Sequence, residues 1–90
     1  MASVVIYTKP SCPYCVAAKN LLTQRGYEYS EMRIDRDAAL REEMLARSAG
    51  RRTVPQIFID EKHIGGFDDL QAADRAGQLK DLSKLDDGAA

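Results

Sequence analysis

The chain has no tryptophan, a single histidine, two cysteines and three prolines among its 90 residues. Two cysteines are too few for a small secreted scaffold that depends on disulfides, which carries four or more well-separated ones. One histidine, His63, leaves a zinc site built on the cysteine pair short of nitrogen ligands. Uninterrupted apolar runs such as Val4-Val5-Ile6-Tyr7 fall far short of the ~20 residues that cross a bilayer, and no basic-then-apolar leader precedes that one. An excess of one charge is also missing: the formal net charge is -1, so no strong field points to nucleic acid. The expectation is a soluble, unexported protein of the reducing cytoplasm, with neither a membrane nor a nucleic acid as partner.

What remains suits one compact domain. The chain is 44% hydrophobic and 30% charged, inside the globular range. A chain of this length buries roughly 60 to 65% of the surface it exposes when unfolded, enough for one modest core. No repeat, linker or low-complexity block divides residues 1–90, so a single domain is expected.

Ser3 to Thr8 reads as a buried strand, bounded by the turn-like Lys9-Pro10-Ser11. Pro13 suits a first helical position, Ser11 or Cys12 can cap it, and Ala17, Ala18, Leu21 and Leu22 recur at helical spacing until Gly26. Tyr29 to Ile34 alternates like a half-exposed strand, which gives a parallel β-α-β unit. Asp35 or Asp37 can cap a second helix with the stripe Leu40, Met44, Leu45 and Ala49, its Arg and Glu residues facing water. Gln56 to Asp60 and Lys62 to Ile64 are close enough to pair as an antiparallel hairpin. After Gly65-Gly66, Asp68 or Asp69 can cap a third helix through Leu70 and Ala73. Residues 78–85 offer one more short helix, and residues 86–90 read as a frayed tail.

Chemistry concentrates in Cys12-Pro13-Tyr14-Cys15. Cys12 falls where a strand ends and a helix begins, so backbone N–H groups and the positive helix end favour a thiolate there. Cys15, about one helical turn on, can reach the Cys12 sulfur. A structural disulfide closing so short a loop would stabilise little, which favours a redox pair. Lys9 alone reads as a solvated lysine, Pro55 as an edge-strand proline, and Gly65-Gly66 with its aspartates as a turn and helix cap. Tyr14, at the helix start, is expected to be exposed.

Taken together, Lys9, Cys12-Pro13-Tyr14-Cys15, Thr53-Val54-Pro55 and Gly65-Gly66-Phe67-Asp68-Asp69 resemble the dithiol, CPYC-type glutaredoxins of bacteria. The resemblance implies an α/β, thioredoxin-like fold with a four-stranded mixed sheet flanked by helices. It implies a glutathione-dependent oxidoreductase in which Cys12 attacks mixed disulfides and Cys15 resolves protein disulfides, donating electrons to enzymes such as a ribonucleotide reductase. Glutathione is then a co-substrate, with no metal, and a monomer acting on glutathionylated and disulfide-containing proteins is expected.

The resemblance also carries site roles. A cis Pro55 would set the Val54 N–H and C=O beside the nucleophile to pair with the cysteine backbone of glutathione, flanked by Thr53. Gly66, Phe67, Asp68 and Asp69 would take the γ-glutamyl end, Tyr14 would wall the groove, and Lys9 would sit near the thiolate or a glutathione carboxylate. Arg51-Arg52 reads as solvated, with the glycyl carboxylate as the alternative contact. Phe67 stands where the family often has Tyr or Cys, and Asp68 where Thr or Ser is common, which bears on substrate preference. Two rivals remain: a thioredoxin-type reductant, against which the missing Trp-Cys-Gly-Pro-Cys argues, and a module that shares an iron–sulfur cluster between two copies.

Overall fold

β-Branched and aromatic residues make Val4–Thr8 (β1) a central strand, buried at Val4, Ile6, Tyr7 and Thr8. The computed structural model describes residues 3–79. After β1 the chain forms α1 (Pro13–Gln24), β2 (Tyr29–Arg33), α2 (Ala38–Arg47), β3 (Gln56–Ile59), β4 (Lys62–Gly65) and α3 (Phe67–Arg75). The sheet order is β2-β1-β3-β4. β2 pairs parallel to β1, as the α1 crossover requires, whereas β1 with β3 and β3 with β4 are antiparallel. This is the four-stranded mixed sheet of a thioredoxin-like fold.

The alternation of side chains along β1 and β3 separates two apolar layers. Val4, Ile6 and Ile57 pack with Ala18 and Leu22 of α1 and Leu70 of α3. On the opposite face Tyr7 and Phe58 pack with Met44 of α2, and Met32, Ile34 and Val54 lean on that cluster. The Tyr7 and Phe58 rings meet edge to face at 5.7 Å. The Arg47 guanidinium lies 4.3 Å from the Phe58 centroid and donates to the Tyr7 hydroxyl at 2.9 Å, so a charged residue closes this layer. Arg25 grips Asp74 through two hydrogen bonds, at 2.7 and 3.0 Å, and ties α1 to α3.

Helix ends decide three expectations. Asp37 caps α2, its Oδ1 accepting the Ala39 N–H at 2.9 Å. Ala49 leaves the expected apolar stripe: α2 ends at Arg47, and Ala49 is exposed with a φ of 58°. The third helix is capped neither by Asp68 nor by Asp69. Its N-cap is Gly66, and both aspartates sit in the first turn, where their charge meets the positive helix end. Of the expected helix over 78–85, Gln78 and Leu79 are described and non-helical; the remainder, like the expected tail 86–90, lies outside the described residues.

The β3–β4 connection runs through Asp60 and Glu61 with φ of 51° and 68°. Two consecutive left-handed residues match a type I′ hairpin turn, whose second position favours glycine because a Cβ there is crowded. Glu61→Gly is therefore expected to raise stability by about 0.5–1 kcal/mol, read as a shift in the urea midpoint at unchanged slope. A lower midpoint would show that the Glu61 side chain contributes more than its backbone strain removes.

Candidate active site

The loop from β1 turns through Ser11, at a φ of 58°, and delivers Cys12 as the N-cap of α1. Pro13 occupies the first helical position, where its missing N–H costs nothing. The Cys12 Sγ accepts the Cys15 N–H at 3.2 Å, and the first turn of α1 contains no acidic residue. An oriented N–H and the positive helix N-terminus both favour negative charge on a sulfur placed here.

The two thiols, both free, occupy different environments: Cys12 is half-buried, while Cys15 is 2% exposed. Burial pushes the Cys15 thiol up, to about 12, and its hydrogen bond with Cys12 adds to the shift. The accessible sulfur is thus the one suited to attack an incoming disulfide, and the covered one waits as a thiol beside it.

The Val54–Pro55 peptide bond is cis, and the Val54 carbonyl oxygen lies 3.9 Å from the Cys12 Sγ. Two depressions flank this meeting point. A cleft of about 230 Å³ runs from Thr53, Val54 and Pro55 to the start of α3, walled by Tyr14 and Phe67. Tyr14 is 63% exposed, and its ring lies 6.2 Å from that of Phe67. A larger groove of about 570 Å³ holds Cys12 itself, and Lys9, Arg41 and Arg52 line it.

Charge is distributed unequally between the two. At the cleft, the Asp69 carboxylate is already engaged: its Oδ2 accepts the Gly66 N–H at 3.0 Å and faces the Arg51 guanidinium at 3.4 Å. Asp68 is exposed at the same helix start. In the groove, Asp35 is occupied by Arg33 through bonds of 2.8 Å and 2.8 Å. Lys9, Arg41 and Arg52 have no ion-pair partner among the described residues. The groove therefore offers three free cations next to the sulfur.

Cys12, Tyr14, Thr53, Val54, Pro55, Gly66, Phe67, Asp68 and Asp69, all singled out in the sequence, converge here, with Lys9 on the groove side. Arg41 was missed. On a helix read in isolation it is one more solvent-facing arginine, and only the packing of α2 against the sheet turns it toward Cys12. Gln56 reads in the sequence only as the start of a strand, and His63 only as a lone nitrogen ligand. Gln56 is fully buried behind Thr53, and burial together with the nearby Arg51 charge holds the His63 ring below the usual histidine range.

A strand-to-helix Cys-Pro-Tyr-Cys on a thioredoxin-like sheet, with the carbonyl of the residue before a cis proline beside the outer sulfur, defines a thiol–disulfide oxidoreductase. The family model described as Glutaredoxin matches residues 4–64, and the chain belongs to the glutaredoxin family. It is 60% identical over 84 residues to Glutaredoxin 3 of Escherichia coli, covering 93% of this chain and 100% of that one. It is 54% identical over 82 residues to a glutaredoxin of Pseudomonas aeruginosa, covering 91% and 96%. Among solved structures, the solution structure of a Brucella melitensis glutaredoxin superposes with a TM-score of 0.76 at 50% identity, covering 91% of this chain and 88% of that one. A buckwheat glutaredoxin–glutathione complex superposes with a TM-score of 0.76 at 37% identity, covering 84% and 71%.

Proposed function

We propose that this protein is a cytoplasmic, monomeric, glutathione-dependent oxidoreductase that reduces glutathione mixed disulfides through Cys12 alone and protein disulfides through Cys12 and Cys15. The observation that carries this reading is the placement of the Cys12 sulfur between an acidic helix start and three free cations, beside the Val54 carbonyl. Glutathione is complementary to that line. Its γ-glutamyl end carries an ammonium and a carboxylate, for Asp68 and for the N–H groups of α3. Its cysteinyl amide can add to the Val54 backbone like an extra strand. Its glycyl carboxylate falls toward Lys9, Arg41 and Arg52.

In the one-cysteine path the Cys12 thiolate attacks the glutathione sulfur of the mixed disulfide. The protein thiolate leaves and takes a proton from water, and Cys12 becomes glutathionylated. A second glutathione thiolate then attacks, releasing oxidised glutathione and regenerating the Cys12 thiolate. For a protein disulfide, such as one left in a ribonucleotide reductase, Cys12 forms the mixed disulfide and the Cys15 thiolate displaces the substrate. Two glutathiones afterwards reduce the Cys12–Cys15 bond.

The test is glutathione-coupled reduction of a glutathionylated peptide, followed as NADPH consumption through glutathione reductase. Robust turnover is expected; an inactive protein would remove the glutathione reading. Within that assay Lys9→Ala with Arg41→Ala is expected to raise KM about tenfold with little change in kcat, the loss of one or two charge-assisted contacts. An unchanged KM would place the glycyl end elsewhere.

A further inference from the structure

Behind the segment that faces Cys12, a buried glutamine links the exposed Thr53 to the half-buried His63, and the reaction above uses neither Gln56 nor His63. Gln56, 0% exposed, donates from Nε2 to the Thr53 carbonyl at 3.0 Å and to the Thr53 hydroxyl at 3.1 Å. Its Oε1 lies 2.7 Å from the Nε2 of His63 on β4. A carbonyl oxygen only accepts, so the bond to Thr53 orients the Gln56 amide with its oxygen toward His63, and His63 Nε2 must then carry the proton. The imidazole is itself fixed, stacked on Phe58 at 4.8 Å, and Arg47 packs against that ring.

Thr53 is the common edge of the cleft and the groove, and the next residue supplies the carbonyl 3.9 Å from the Cys12 Sγ. Two residues, Val54 and Pro55, separate Thr53 from β3, and Gln56 is the first residue of that strand. Its amide therefore bridges the ordered sheet to the loop it must hold. A buried amide would be costly here without partners, and each of these contacts is to Thr53 or to His63.

We propose that Gln56 and His63 are positioning residues: His63 orients the Gln56 amide, which fixes Thr53 and so sets the Val54 backbone at the height over Cys12 where a peptide backbone docks. Neither touches the substrate, and both act through Thr53. This rests on the reading of the groove as a glutathione site.

The experiment compares wild type, Gln56→Met, His63→Phe and the double variant, with kcat and KM measured for a glutathionylated peptide and for a cysteamine mixed disulfide of the same peptide. Methionine keeps the buried volume, and phenylalanine keeps the stack on Phe58 while removing the N–H. Gln56→Met is expected to raise KM for the glutathionylated peptide about fivefold, the size of one neutral hydrogen bond, with kcat within about twofold and the cysteamine substrate unaffected. His63→Phe is expected to do the same to a smaller extent. The double variant is expected to match Gln56→Met alone, because His63 acts only through that amide.

Effects that multiply in the double variant, or that fall equally on both substrates, would overturn the relay. So would an unchanged KM in both single variants while wild type prefers the glutathionylated peptide. Should wild type show no such preference, the glutathione reading fails and this proposal with it. His63 is half-buried at the sheet edge, so His63→Phe keeps the comparison available if Gln56→Met does not fold.

Discussion

Replacing Cys12 by Ser is expected to lower reduction of a glutathionylated peptide by at least about a thousandfold, because the hydroxyl that remains is not a thiolate and forms no mixed disulfide. Cys15→Ser is expected to keep that activity within about threefold and to lower reduction of an intramolecular protein disulfide by about a hundredfold. The asymmetry follows from the environments of the two sulfurs. Cys12 sits at the surface with the Cys15 N–H directed at it, whereas Cys15 is buried within the first turn of α1. Both rates are read in the same glutathione-coupled assay. If Cys15→Ser silenced both reactions, the one-cysteine path would be wrong.

The Cys15 thiol adds a dependence on pH. Burial raises it first, and the Cys12 sulfur raises it further, by hydrogen bond and by charge. Once Cys12 is tied in a mixed disulfide its charge is gone, leaving burial as the main cause, so capture of the substrate itself eases ionisation of the resolving thiol. Burial still acts in the raising direction, so the thiolate fraction grows with pH, by up to about tenfold per unit while the pH lies below the pKa. Release of peptide from a preformed Cys12 mixed disulfide, followed by rapid quench without glutathione, is expected to accelerate accordingly. A flat profile would mean that thiol ionisation at Cys15 does not limit resolution.

Local signals carried most of the chain's own reading. The strand, the Pro10 turn and Pro13 together place Cys12 at a helix start, and the structure puts it at the N-cap. The hairpin was legible because two residues separate β3 from β4. The cap of α3 was not, since sequence signals reward a side chain that can cap, and Gly66 has none. Asp69 instead reaches back to the Gly66 N–H from the third helical position, half of a capping box. The pairing of β1 with β3 joins residues about fifty apart, which no local pattern encodes. Non-local packing also hid Arg41, whereas the Gln56–His63 contact spans only 7 residues and was hidden because strand pairing alone does not tell which side chains bond across it.

Gly65→Ala is expected to cost about 2–4 kcal/mol and to weaken the cleft at the same time. Gly65 has a φ of 121°, a region that an L-residue enters at a cost of about 1–3 kcal/mol. A Cβ at this position would also overlap the Asp69 carboxylate, which holds the Gly66 N–H that opens α3. Moving that carboxylate frees a helix-start donor, adding on the order of 1 kcal/mol. For a domain of this size each kcal/mol corresponds to roughly 4–8 °C, so a loss on the order of 10–25 °C in Tm is expected in a thermal melt. The two causes separate in Gly65→Ala combined with Asp69→Ala, compared with Asp69→Ala alone. With the carboxylate gone the backbone cost and the 2.9 Å approach to the residue 69 Cβ remain, so adding Gly65→Ala to that background should lower Tm by more than half, but less than the whole, of what it does in wild type. An equal loss in both backgrounds would assign the effect to φ and the Cβ contact rather than to the carboxylate, whereas a loss under about 1 kcal/mol in wild type would show that the β4–α3 junction adapts and that Gly65 is not what fixes the acidic end of the site.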